Sequence, residues 1–202
     1  MLFDLQVNGF AGVDFQQDDV PLAALEHAMR RLHAHRTTRI FYTLITDRVD
    51  TLCRRLEHVE TLRRRSPLLR DTIAGYHLEG PWLSPEPGYH GAHDPALMVA
   101  PSVADADRLL AASGGHLRLV TLAPERDRAD EITAHLTARG VRVAAGHTAA
   151  SDADLDRAIA AGLTLCTHLG NAVPALLPRH DNIVQRLLAR DELTACFIHT
   201  RS

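Results

Sequence analysis

A chain of 202 residues is long enough for one domain with a sizeable core. Its 22 cationic side chains against 25 acidic ones leave a net charge of −3, which gives no reason to expect nucleic acid or an acidic membrane surface as a partner. No stretch approaches the ~18 apolar residues of a bilayer span, and no basic segment precedes an apolar block, so neither membrane insertion nor a signal peptide is expected. Three widely spaced cysteines, Cys53, Cys166 and Cys196, with no CxxC pattern, read as reduced thiols of a cytoplasmic protein. All the cations are arginine. Without lysine there is no Schiff-base chemistry and no carbamylated bridge between two metal ions.

The opening run "MLFDLQVNGFAGVDF" predicts a strand at 3–7 that enters a glycine-rich turn. Residues two apart on a strand face the same way, so Gln6 and Asn8 point together. Further strands are predicted at 38–46, 73–79, 117–123, 141–146, 163–168 and 193–198, with helical patterns at 21–36, 48–64, 103–113, 127–139, 152–161 and 181–190. Ser151 with Asp154 makes a capping box, Gly140 and Gly162 stand where helix C-caps belong, and Asp47 suits an N-cap. The Pro- and Gly-rich stretch 80–101 reads as one long functional loop.

This alternation means βα units around a parallel sheet. Polar residues gather at strand C-termini: Gln6 and Asn8, Thr46 and Asp47, His77 and Glu79, His147, then His168. An open doubly wound sheet would favour one crevice, whereas polar ends on five strands favour the active face of a barrel. The expected fold is α/β: a partial TIM-type (β/α)8 barrel with about seven of its eight parallel strands, forming a single incomplete domain over 1–202.

Three segments carry the chemistry: "GYHLEGPWLSPEPGYHGAHDP", "VAAGHTAAS" and "CTHLGNAVP". Each places a potential ligand where a strand gives way to a loop, namely Glu79, His147 and His168. Singly, Glu79 could be a carboxylate paired with arginine, His147 a local cap and His168 a core histidine. Together, two imidazoles and a carboxylate suit a catalytic zinc or similar divalent ion with one position open. That equipment serves amide hydrolysis.

With "DLQVNGFAGVDF", these segments follow in order the motifs of the N-acetylglucosamine-6-phosphate deacetylase family of the amidohydrolase superfamily, which the chain resembles over nearly its whole length. The resemblance implies metal-dependent conversion of N-acetylglucosamine 6-phosphate to glucosamine 6-phosphate and acetate. It implies Glu79, His147 and His168 as ligands of one divalent ion, zinc before iron or manganese. His93, with His90 as a rival, would contact the sugar. Asn171, the Ala172 backbone and Arg179 would hold the phosphate, with His180 nearby. Amidohydrolases commonly carry a His-x-His pair on the first strand; Gln6 and Asn8 stand there instead and are expected to face a vacated second metal site through water. A hydrolase of cyclic amides is disfavoured for the same reason.

The family also has a small β-sandwich that the chain is expected to lack, and an eighth strand ending in a general acid/base aspartate. His199 falls near a strand end without the family's Asp-Gly pair before it, so no catalytic acid/base is assigned. The expectation is a deacetylase-type enzyme of doubtful activity; the alternative is an inactive metal- and sugar-phosphate-binding remnant, with open sheet edges inviting a homo-oligomer.

Overall fold

A computed structural model of the chain describes residues 1–198. The chain enters through β1 (Leu2–Val7) and a small antiparallel hairpin, β2 (Gly9–Phe10) with β3 (Val13–Asp14). There follow α1 (Leu22–Ala34), β4 (Thr37–Ile45), α2 (Val49–Arg65), α3 (Pro67–Thr72), β5 (Ile73–Glu79), α4 (Val103–Ala112), β6 (Leu117–Leu122), α5 (Ala129–Thr137), β7 (Arg142–Ala145), α6 (Asp152–Ala160), β8 (Leu165–Cys166), α7 (Ile183–Leu188) and β9 (Thr194–Ala195). Seven strands make one parallel sheet in chain order, β1-β4-β5-β6-β7-β8-β9, curled into a partial barrel. The expected fold class stands.

Strand alternation sorts the side chains. In β5, Tyr76 points outward, its hydroxyl donating to Glu60 of α2 at 2.9 Å. His77 faces inward between Thr43 of β4 and Thr121 of β6, and Glu79, two residues on, shares that face. The helices present apolar stripes to the sheet; in α1 these are Leu25, Ala28, Met29 and Leu32. At the barrel end opposite the loop face, buried Glu60 also pairs with Arg63 and Arg64 at 3.4 and 3.2 Å. Its carboxylate is thereby satisfied on every side, a stabilising role typical of that end of a barrel.

The Ser151–Asp154 capping box forms with both its bonds. Gly140 and Gly162 close α5 and α6 in left-handed geometry, φ 77° and 109°. The N–H groups of Val141 and Leu163 then reach back to the carbonyls of Leu136 and Ala158, which completes a Schellman motif at each. An added Cβ meets nothing at Gly140 but crowds Thr137 at 3.0–3.2 Å at Gly162. Gly140→Ala therefore loses about 1–2 kcal/mol from the left-handed backbone alone, and Gly162→Ala loses more; paired thermal denaturation curves rank the two.

Four differences from the sequence reading have local causes. The last two strands shrink to Leu165–Cys166 and Thr194–Ala195, because the chain turns sharply at His168, φ 31°, before the ladder can extend. The hairpin at 9–14 and helix α3 are additional; Ser66 caps α3, with Pro67 in its first turn. Asp47 is not the N-cap of α2. That position is Arg48, which makes no side-chain cap, while Asp47 accepts from the Arg48 N–H at 2.7 Å and pairs with Arg55 at 2.9 Å. His199 lies outside the described residues.

Candidate metal centre

Glu79 ends β5, His147 follows β7 and His168 follows β8, so the βα architecture delivers all three to the C-terminal face. Their candidate ligand atoms lie within 4.8 Å of one another, and all three side chains are buried. Glu79 Oε1 is 3.2 Å from His147 Nε2 and 2.8 Å from His168 Nε2. Burial alone would raise the Glu79 carboxyl, but hydrogen bonds from His147, His168 and His93 prevail and hold it well below the usual range. Burial likewise opposes charge on His168, yet contact with Glu79 raises that imidazole above its ordinary value.

The cluster has the chemistry of a cation site. His147 Nδ1 donates to the Tyr89 carbonyl at 3.0 Å, the second-sphere bond that ligating histidines commonly make. In the neutral ring this leaves Nε2 as a lone pair aimed at a carboxylate oxygen. A proton, as in the hydrogen bond to Glu79, or a divalent ion in its place can join that nitrogen to the carboxylate, so the donor set of Glu79, His147 and His168 fits a divalent ion. His147 and His168 both hold positive φ, 50° and 31°. Such backbones cost ~1–3 kcal/mol each and concentrate at functional sites. Glu125 braces the His147 loop, accepting from the Ala149 N–H at 2.7 Å and from the Thr148 hydroxyl.

His77 plays a different part. Burial pushes it down to about 4, and its nitrogens are taken up by Thr121 at 2.8 Å and Thr43 at 3.3 Å. Thr121 in turn meets Thr167 at 2.7 Å. This polar layer is the floor of the site.

Gln6 reaches the centre directly: its Nε2 donates to Glu79 Oε2 at 2.9 Å. Gln6 thus contacts a candidate ligand directly, in addition to standing at the first-strand position expected to face a second site. Asn8 is exposed, and with Gln6 it lines a cleft of ≈ 660 Å³ that also touches Thr167 and His168. Gln6→Ala removes one bond to a ligand carboxylate and is expected to weaken metal affinity about 10–100-fold, read by competition with a chelating dye.

His93 is buried, with Nε2 3.6 Å from Glu79 Oε2 and its ring edge-on to His147, centroids 4.4 Å apart. Its rival His90 makes no hydrogen bond to the cluster among the described residues; its Nδ1 is buried without a partner. The 89–93 loop passes so close that a Cβ on Gly91 would stand 3.0 Å from His147 and 3.5 Å from Ala172. Asn171 donates its backbone N–H and its side-chain amide to the His168 carbonyl, at 2.9 and 3.2 Å. Ala172 is left-handed, φ 51°. Arg179 and His180 are exposed farther along this loop, outside any ion pair among the described residues. Sequence reasoning passed over Glu125 and Gln16 and gave Thr46, named among the polar strand ends, no role of its own; a polar residue just past a strand end is the signal they share.

Fold and site together define a partial (β/α) barrel with a candidate metal centre at the C-terminal ends of its strands. No family model matches the chain. It is 37% identical over 199 residues to N-acetylglucosamine-6-phosphate deacetylase of Homo sapiens, covering 95% of this chain and 46% of that protein. It is 35% identical over 198 residues to the Bos taurus enzyme of that name, with the same two coverages. Among solved structures it matches N-acetyl-D-glucosamine-6-phosphate deacetylase from Mycobacterium smegmatis, a mutant in complex with N-acetyl-D-glucosamine-6-phosphate. The TM-score is 0.83 at 34% identity, over 96% of this chain and 48% of that one. The chain is a relative of the N-acetylglucosamine-6-phosphate deacetylases, and it spans about half the length of those it matches.

Proposed function

We propose that the chain carries the metal site and the sugar-phosphate site of a deacetylase that cleaves N-acetylglucosamine 6-phosphate to glucosamine 6-phosphate and acetate. The observation that carries this reading is the convergence of Glu79, His147 and His168 within 4.8 Å, on a fold matching a deacetylase at TM-score 0.83. One zinc ion is the preferred occupant, since an N₂O donor set with an amide from β1 suits a single borderline cation. A divalent ion held there is a Lewis acid toward a carbonyl oxygen and acidifies water.

The chain's own residues would do the rest. Gln6 and Tyr89 orient the ligands, and His93 faces the same space from the long loop and would hold the sugar. Asn171, Ala172 and Arg179 would receive the phosphate, the guanidinium by paired hydrogen bonds. No general acid or base is assigned among the described residues. Among those residues no helix is long and apolar enough to cross a membrane. The three free cysteines support a cytoplasmic setting.

Metal content per chain after gel filtration tests the centre. About one ion supports it, about two overturns the single-metal assignment, and none in a folded protein overturns the centre itself. Acetate release from the sugar phosphate then separates catalysis from binding alone.

A further inference from the structure

We propose that Thr46 is a positioning residue that fixes His93 as its Nε2–H tautomer, so that the ring offers a hydrogen-bond donor to a substrate oxygen beside Glu79. The tautomer is argued from geometry alone; its effect on turnover rests on the deacetylase reading above.

His93 Nδ1 lies 2.8 Å from Thr46 Oγ1 and 3.4 Å from the Thr46 backbone nitrogen. A backbone N–H can only donate, and an imidazole nitrogen without hydrogen can only accept. The fixed donor favours Nδ1 as the accepting nitrogen, but its contact is long at 3.4 Å, and the hydroxyl at 2.8 Å is what secures the choice. The hydroxyl has one hydrogen and two candidate acceptors, His93 Nδ1 at 2.8 Å and the Glu79 carbonyl at 3.3 Å. The shorter contact is the better bond.

The opposite arrangement has Nδ1–H donating to Thr46 Oγ1 while the hydroxyl donates to the Glu79 carbonyl. It fails twice. It points the backbone N–H and the ring N–H toward each other across 3.4 Å, and it turns the Nε2 lone pair onto Glu79 Oε2 at 3.6 Å, acceptor against acceptor. With Nε2–H, both contacts become favourable. Thr46, His93 and Glu79 are all buried, where an acceptor left facing an acceptor costs most.

The neighbouring backbone makes room for this arrangement. A Cβ on Gly80 would stand 2.1 Å from the Thr46 hydroxyl oxygen, and Gly80 sits at φ 93°. A side chain there would displace the hydroxyl and release the ring. Held this way, neutral His93 can donate through Nε2 to a carbonyl or sugar oxygen but cannot accept a proton at that atom. It would steady the substrate and not serve as a base.

The test uses the zinc-loaded full chain with ¹⁵N-labelled histidine. Long-range ¹H–¹⁵N correlation spectra, assigned with His93→Gln, report which ring nitrogen carries hydrogen. Wild type and Thr46→Ser are expected to show Nε2–H alone, and Thr46→Val a mixture of tautomers. In acetate release from N-acetylglucosamine 6-phosphate, Thr46→Val is expected to lower kcat roughly tenfold with KM nearly unchanged, and Thr46→Ser to restore it. A wild-type His93 bearing hydrogen on Nδ1, or a Thr46→Val spectrum identical to wild type, overturns the proposal. If the wild-type chain releases no acetate, the deacetylase reading fails, and the tautomer spectra still decide the role of Thr46.

Discussion

Glu79→Gln is expected to lose stoichiometric metal, with affinity falling by more than ~100-fold. The magnitude follows from what the carboxylate holds together: Oε1 stands 3.2 and 2.8 Å from the two imidazole Nε2 atoms, while Oε2 meets Gln6 at 2.9 Å and His93 at 3.6 Å. An amide keeps the shape but loses the negative charge, and it presents one oxygen where two were in use. Amide oxygens are weak ligands for zinc beside imidazole or carboxylate. Removing a partner that only orients a ligand already costs about 10–100-fold, and loss of an anionic ligand exceeds that. Elemental analysis after exhaustive dialysis measures it, with circular dichroism to show that the variant still folds. A folded Glu79→Gln protein that retains one ion per chain would place the metal elsewhere.

The clustering of the three candidate ligands was legible in the sequence because one rule covers them all. A polar residue at the C-terminal end of a parallel strand faces the site of a barrel, whatever its neighbours do. Glu79, His147 and His168 each satisfy that rule from their own short segment. The atoms that surround them follow from no single segment. Gln6 and Glu79 are 73 positions apart, and only the stagger of β1 on β4 and β4 on β5, with its irregular register, brings the amide onto the carboxylate. Alternation places Gln6 and Asn8 on one face, and both line the same cleft; the extra reach of the glutamine decides which of them touches Glu79.

Local chemistry was also read unevenly. The capping box at Ser151 and the glycines at 140 and 162 act where their residue types say, since each depends only on its own turn. Asp47 carries the chemistry of an N-cap, but Arg55, nearly two turns into α2, draws its carboxylate away. A tertiary ion pair here outweighs the local preference. Thr46 looked like one more polar strand end. Its part emerges only when the 80–101 loop folds back and seats His93 on its hydroxyl.

The largest stability effect is expected on the opposite side of the same strands. Phe15 is fully buried and stacks flat on Tyr42, centroids 4.4 Å apart and planes within 6°. Tyr42 packs edge-on against Tyr76 at 6.2 Å, and its hydroxyl donates to the Phe15 carbonyl at 2.9 Å. Phe15→Ala removes the end of this aromatic row and leaves a cavity that the rigid ends of β4 and β5 cannot close. The loss should be about 3–5 kcal/mol, seen as a lower urea midpoint with an unchanged slope. Phe15→Leu, which keeps most of the volume, should recover the greater part. Metal binding should weaken with it, because Phe15 anchors the turn that carries Gln16. That side chain ties the Asn8 and Thr43 carbonyls, at 3.3 and 3.1 Å, to the Ile45 N–H at 3.0 Å. It thereby sets β1 against β4, and with them the reach of Gln6 to Glu79. A Phe15→Ala protein destabilised by less than about 1 kcal/mol would mean that the turn is held by its hydrogen bonds and not by the ring; a large loss of stability with unchanged metal affinity would separate the aromatic row from the alignment of the site.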